Sequence, residues 1–553
     1  AFRTGAGILR ARQIALPVEV VMPYLDTLHA AAGRAAPDAA AALRREMFGA
    51  AQLAQRGGTV RFVQLASARL GAASGDPRVA EAVRRLQDAD RVLRDLYADR
   101  DAVTPGTPAA QALDRRIEQT QRDRAEAEGE VAAAAPGYRQ LLLASADADA
   151  VARALDPDEA LVTMLLGREG GYVLAIRAGG AVAAHRLAVG EAAVGALVAR
   201  VRRATEFSGA EPPAFDTAAA AELYNLLLAP LRAGIGNAAT LVVAPDGPLL
   251  GIPFGLLLTG PAEPGALGAA PWLIRRHAIV HVPSPQTLVT QRAAGRGSAA
   301  PNPWRGFGDF TPPSAPQLAA TFPGDRCAAD ARLAAGLGRL PGTRAEVLAA
   351  QRLMGAGPDA LSLGGEFTAA TLRNARLDQY RVIHLATHAL LPGELSCLPE
   401  PAIVVSPPPG ARDASAAFIR ASEVLGLRMD ADLVVLSACN TGGPGGEGGG
   451  EALSGLARAF FYAGARGLLV THWAVDDAAS ALIVADTLRR QAGGLSSAAA
   501  LRGAQLLILE EAGRRLPATF AHPYYWAPFA LIGDGRRGSA PTRTAAAEAG
   551  TRL

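Results

Sequence analysis

Two side chains in this chain of 553 residues stand where an open α/β sheet performs nucleophilic chemistry: the imidazole of His388 and the thiol of Cys439. His388 ends a short apolar run, Arg381 to Thr387 (RVIHLAT). Cys439 ends a second, Asp432 to Ala438 (DLVVLSA), and opens into a glycine-rich stretch, Thr441 to Gly450 (TGGPGGEGGG). Both runs have the length and β-branched content of strands. Sites in parallel sheets form outside the carboxyl ends of strands, so two such endpoints can meet across one crevice. A thiol becomes a nucleophile when an imidazole within hydrogen-bond reach takes its proton, and the fold, not sequence adjacency, brings the two together. The pattern predicts a cysteine peptidase. Cys439 would attack the peptide carbonyl, with His388 as base toward the thiol and acid toward the leaving amine.

A free cysteine is more often a small buried hydrophobe than a catalyst. Position turns the odds for Cys439, which follows an apolar strand and precedes glycines that leave room for a substrate backbone. Its thiol would need a pKa lowered from about 8.5 by an imidazolium or by helix-terminal N–H groups. The backbone N–H groups of Ala389 and Cys439 are the candidate oxyanion donors. Asn440, Thr441, Gly442 and Gly443 begin a candidate active-site loop whose ordering would control access. His384, inside the first strand, is read as a core histidine. In an extended strand it shares a face with His388 about 13 Å away, too far for both to reach one atom. There is no helical HExxH and no paired cysteine ligands, so no metal site is expected, and no cofactor either.

The elements that must hold these residues are drawn from a chain that is 50% hydrophobic and 19% charged. Such a composition folds, and its length calls for two to four domains. The net charge of +3 shows no basic run and lends nucleic-acid binding no support. All 55 basic residues are arginine. The absence of lysine excludes Schiff-base chemistry and a P-loop lysine, and with the Ala, Gly and Arg excess it points to a GC-rich bacterial source. Three cysteines (Cys327, Cys397, Cys439) make no disulfide framework and fit a reducing compartment, hence the cytoplasm. Cys327 and Cys397 are read as structural or incidental. No apolar stretch reaches the roughly 18 to 20 residues of a membrane span.

Residues 1–135 are expected to be helical, the end of a helical-repeat array or a helical arm, though no 34-residue self-similarity is visible. Val79, Val83, Leu86, Leu93 and Leu96 recur at helical spacing, and Gln111 to Val131 reads as a long solvated helix. A companion α/β lobe is placed at 155–300. It holds a strand meander at Leu161 to Leu166, Tyr172 to Ile176 and Ala181 to Leu187, two helices, and the strand Thr240 to Ala244 (TLVVA). Gly295 to Pro341, rich in Gly, Pro and Ala, is the best linker or long loop. Helices and short apolar strands then alternate over 336–534, which predicts a doubly wound α/β lobe. Residues 535–553 form a polar tail.

Several ordered blocks carry a family resemblance. They include Ala244-Pro245-Asp246-Gly247-Pro248-Leu249, Trp272-Leu273-Ile274, Leu340-Pro341-Gly342-Thr343 before Glu346, and Ala386-Thr387-His388. Leu436 to Gly442, Gly455 to Phe460, Trp473 to Asp477 and His522 to Phe529 complete them. Cys439 also follows His388 by 51 positions, and the caspase pattern has its histidine about 50 residues before an Ala-Cys. In these blocks the chain resembles the CHAT domain, a caspase-like peptidase module related to caspases and separases and often attached to tetratricopeptide repeats. The resemblance implies a caspase-like three-layer α/β/α sandwich and a His388–Cys439 dyad that cleaves protein or peptide substrates. It also implies regulation by a protein partner or effector through the attached helices. One departure is Ala389, where caspase-like enzymes often have glycine. Two other readings stay open: a catalytically silent scaffold or interaction module, and a non-proteolytic cysteine hydrolase.

Overall fold

The computed structural model describes residues 16–54, 85, 89, 92–93, 96, 103, 107–134, 146–205, 211–263, 265–293, 295, 297–390, 394–398, 400–437, 456–457, 459–473 and 475–536. Short apolar runs become strands throughout. The meander forms β1 (Glu159–Leu166), β2 (Gly171–Arg177) and β3 (Val182–Leu187), followed by β4 (Thr240–Ala244) and β5 (Ala278–His281). Then come β6 (Asn302–Gly308), β7 (Leu361–Leu363), β8 (Tyr380–Leu385), β9 (Ala389–Leu390), β10 (Ala402–Val404) and β11 (Phe418–Arg420). The last three are β12 (Leu433–Leu436), β13 (Gly467–Thr471) and β14 (Phe529–Gly533).

Eleven of these make one sheet, in the order β3-β2-β1-β4-β5-β14-β13-β12-β8-β6-β7, and β11-β10-β9 make a small second sheet. From β1 through β4 and β5 to β14 the pairing is parallel. It is parallel again from β13 through β12, β8 and β6 to β7. The two halves run in opposite directions and meet at the antiparallel β13–β14 pair. Alternate residues feed two cores. Val382, Leu433, Val435 and Leu469 pack on one face with Val347, Ile483 and Leu501 of covering helices. Ile383, Leu385, Val434, Leu436 and Leu468 pack on the other with Leu318, Ala334 and Leu372. Helices therefore cover both faces, and the expected α/β/α layering is what the chain adopts.

Two N-terminal helices, Val18–Ala32 and Pro37–Ala51, dock on the meander edge, and their Leu25, Met47 and Phe48 enter the first core. The helix Pro108–Ala134 covers the expected solvated segment. At the seam between the halves lies a sealed ion cluster. Arg292, on the helix Pro285–Ala293, binds Glu159 at the start of β1 and Asp534 just after β14, and all three are buried.

Two sequence expectations fail here. The stretch from Gly295 to Pro341 is no linker: it contains β6, inserted between β7 and β8, and the helices Ala315–Thr321 and Ala328–Ala335. Its glycine content misleads because Gly306 makes room for an aromatic ring; a Cβ there would come within 2.0 Å of Trp304. Cys327 and Cys397, read as structural or incidental, are structural, and the expectation of no disulfide framework fails at them. They form a disulfide, with Cα atoms 5.9 Å apart across 70 residues of sequence. Helix Ala328–Ala335 and the loop after β9 are brought together by the fold, which spacing does not reveal. The inference of a reducing compartment thereby loses its basis.

Candidate active site

β8 ends at Leu385, and the chain turns before it reaches His388. That turn separates the two histidines. His384 lies on the first core's face, edge-on to Trp304. His388 lies edge-on to Phe310, a residue of the opposite core, with ring centroids 5.4 Å apart. The expectation that both imidazoles share one face fails because strand alternation stops three residues short of His388.

His388 is buried, and its Nε2 lies 2.9 Å from the carbonyl oxygen of Gly338. A carbonyl only accepts, so Nε2 carries the proton and Nδ1 is the basic nitrogen of the neutral ring. The segment supplying that carbonyl is itself tied down. Arg339, the next residue, donates to Asp309 at 2.8 Å, and Arg344 donates to the other carboxylate oxygen at 3.0 Å. Asp309 directly precedes Phe310, and its N–H donates to Thr343 Oγ1 at 3.1 Å. A closed circuit results: His388 to Gly338, Arg339 to Asp309, Phe310 back to His388. Burial on its own would raise the Asp309 pKa, but hydrogen bonds from the two guanidiniums hold it below the ordinary carboxylate value of 3.8. Asp309 also sits at φ 51°, in the left-handed region. For a non-glycine residue that costs on the order of 1–3 kcal/mol and persists only where surrounding contacts impose it.

His384 has a different environment. It is fully buried, with Nε2 at 2.7 Å from Glu346 Oε1 and 3.3 Å from Ser437 Oγ. Both partners share one ring nitrogen, while Nδ1 has none among the described residues. A Ser–His–acid relay needs both nitrogens. This group pins structure instead: Glu346 also accepts from Ser480 at 3.1 Å, tying β8 and the end of β12 to two covering helices. The helix carrying Glu346, Pro341–Leu353, starts at a tight contact. A Cβ on Gly342 would come within 2.4 Å of Asp477, whose carboxyl accepts the Gly342 N–H. Asp476 caps the next helix by accepting from Ala478 and Ala479.

Of the sequence-derived site residues, the structure places His388 and Ala389. Ala389 is buried and opens β9, paired with Ile403. Cys439, Asn440, Thr441, Gly442 and Gly443 lie outside the described residues; on that strand the last described residue is Ser437. β8 and β12 pair in parallel with Leu385 opposite Leu436. Glu346, Asp309 and Gly338 were not singled out as site residues from the sequence, although Glu346 stands in a family block. Among the described residues, no group of three His, Cys, Asp or Glu is placed to hold a metal ion.

The CHAT domain model matches residues 217–534, more than half of the chain. The chain belongs to the CHAT domain family. Among curated proteins, tetratricopeptide repeat protein 28 of Mus musculus is 25% identical over 357 residues, 58% of this chain. The protein of the same name from Homo sapiens is 25% identical over 354 residues. This chain spans only 13% of the length of each of these relatives. Among solved structures, the Saccharomyces cerevisiae separase–securin complex matches with a TM-score of 0.38 and 9% identity, covering 77% of this chain and 33% of the other. The CHAT match spans β4 through β14 and so contains the whole His388 circuit. The meander and the N-terminal helices precede it. No helix among the described residues is long and apolar enough to cross a membrane.

Proposed function

We propose that this CHAT protein is a caspase-like cysteine endopeptidase with His388 as base and Cys439 as nucleophile. The register of β8 and β12 carries the reading. Leu385 pairs with Leu436 on neighbouring strands about 4.8 Å apart, and in the sequence His388 and Cys439 each follow these paired residues by three positions. The Gly338 carbonyl, by accepting from Nε2, leaves Nδ1 to take the thiol proton.

Chemically, the thiolate sulfur bonds to the scissile carbonyl carbon while the carbonyl electrons move to oxygen. The N–H groups of Cys439 and Ala389 would stabilise that oxyanion. Collapse expels the amine, which takes the proton from Nδ1, and water then releases the acyl group from sulfur. Asn440, Thr441, Gly442 and Gly443 supply the loop along which an extended substrate lies. A protein activator acting through the N-terminal helices would set when the site opens.

The test incubates the wild type, Cys439→Ala and His388→Ala with proteome-derived peptide libraries and maps new termini by mass spectrometry. Cuts sharing one residue preference, and slowed at least about 10³-fold in both variants, are expected. A folded wild type that makes no cuts and leaves Cys439 unlabelled by a peptide-like electrophile would overturn the reading in favour of a scaffold.

A further inference from the structure

At the other end of β8 and β12 from His388 lies a cavity of about 820 Å³, formed by the segments that lead into these two strands. Three of its lining residues are arginines: Arg373, Arg376 and Arg428. Arg373 is held by Glu423 at 2.8 Å, and Arg376 more loosely by Asp378 at 3.8 Å. Both carboxylates also line the cavity. Arg428 has no partner among the described residues, so one guanidinium is left over. Ser422 lines the cavity too. It is 4% exposed, and its hydroxyl has no hydrogen-bond partner among the described residues. That oxygen is sealed from solvent, so Ser422 forms part of the cavity wall without presenting its hydroxyl to it. Leu377, Leu425 and Leu427 supply an apolar part of the lining.

The backbone marks the same place. Arg376 has φ 48°, and among the described residues the only other non-glycine with positive φ is Asp309, beside His388. Strain of this kind collects at ligand clamps and active sites.

We propose that this cavity binds a small organic phosphate. A phosphate offers its oxygens to two guanidiniums, that of Arg428, unpaired among the described residues, and the loosely held one of Arg376. Guanidinium forks suit such oxygens, and the leucines take the organic body. The volume falls within the roughly 300–1,000 Å³ of small-molecule sites. This binding does not depend on whether the chain cleaves peptides.

Calorimetric titration of the full chain with inorganic phosphate, phenyl phosphate and adenosine monophosphate tests it. At least one organic phosphate should bind one to one, about tenfold or more tighter than inorganic phosphate. Arg428→Ala should weaken that binding about tenfold. Arg376→Gly removes a guanidinium while suiting the left-handed backbone, so it should stay folded and also bind more weakly. Arg514→Ala, at an exposed arginine outside the cavity, should change nothing. No binding at millimolar ligand would overturn the proposal. So would binding that both cavity variants leave intact, or inorganic phosphate binding as tightly as both organic ligands.

Discussion

Two arginine–carboxylate clusters sit on the same sheet with opposite exposures. At the seam, the side chains of Arg292, Glu159 and Asp534 are 2%, 6% and 7% exposed. At the candidate active site, Asp309 is 7% exposed, but its partners Arg339 and Arg344 are 63% and 56% exposed. In the sealed cluster Glu159 depends on Arg292, because no water can replace a lost partner, while Asp534 also holds Arg536. In the open one the guanidiniums are half hydrated, and their ion pairs contribute little to stability. The contrast assigns different work to similar chemistry. The seam cluster ties the start of β1, the helix Pro285–Ala293 and the end of β14 together, and the edge cluster sets where Gly338, Phe310 and hence His388 stand.

The largest effect should come from the seam. Arg292→Ala leaves the buried Glu159 carboxylate uncompensated, while Asp534 keeps Arg536 at 2.8 Å, and should lower the unfolding free energy in urea by about 3–5 kcal/mol. Molecules that remain folded should keep their cleavage rate. A loss under about 1 kcal/mol would show that water reaches the cluster and would erase the contrast.

At the edge, Asp309→Asn should reverse the pattern. Cleavage should fall roughly tenfold in kcat with KM little changed, because a displaced base slows chemistry without weakening binding. The same variant has a pH signature. Asp309 titrates below 3.8 when folded, so between its folded pKa and 3.8 the unfolded chain binds more protons. Its contribution to stability is then complete above about 3.8 and lost as pH falls through the folded value. Urea midpoints should therefore drop less steeply below pH 4 in Asp309→Asn than in the wild type; parallel curves would remove Asp309 from the acid response. The smallest effect belongs to Arg344→Ala. Arg339 still holds Asp309, and the exposed pair should contribute under about 1 kcal/mol by the same urea assay.

Much of this organisation was legible in the chain itself. RVIHLAT and DLVVLSA are apolar and β-branched because their strands are buried on both faces, and β1 and β2 of the meander show themselves in the same way. β6 was hidden because NPWRGFG needs Gly306 beneath the Trp304 ring, and a glycine chosen for packing looks like one chosen for a turn. Arg339 and Gly338 serve His388 through a carbonyl and a charge contact across 50 residues, which side-chain identity does not encode. Extended-strand geometry put His384 and His388 on one face, and only the end of β8 at Leu385 separates them.

The Cys327–Cys397 bond makes a covalent ring of the chain between them, and the ring contains Gly338, Glu346, β8 and His388. A single peptide bond cut inside it, even beside Gly338 where the backbone touches His388, opens the ring without parting the molecule. Such a nicked chain would run as one species on a gel until reduced, and only then as two. The same bond occupies two of the three cysteines, so an intact, oxidised chain offers one titratable sulfur, that of Cys439, and thiol counting reports on it alone.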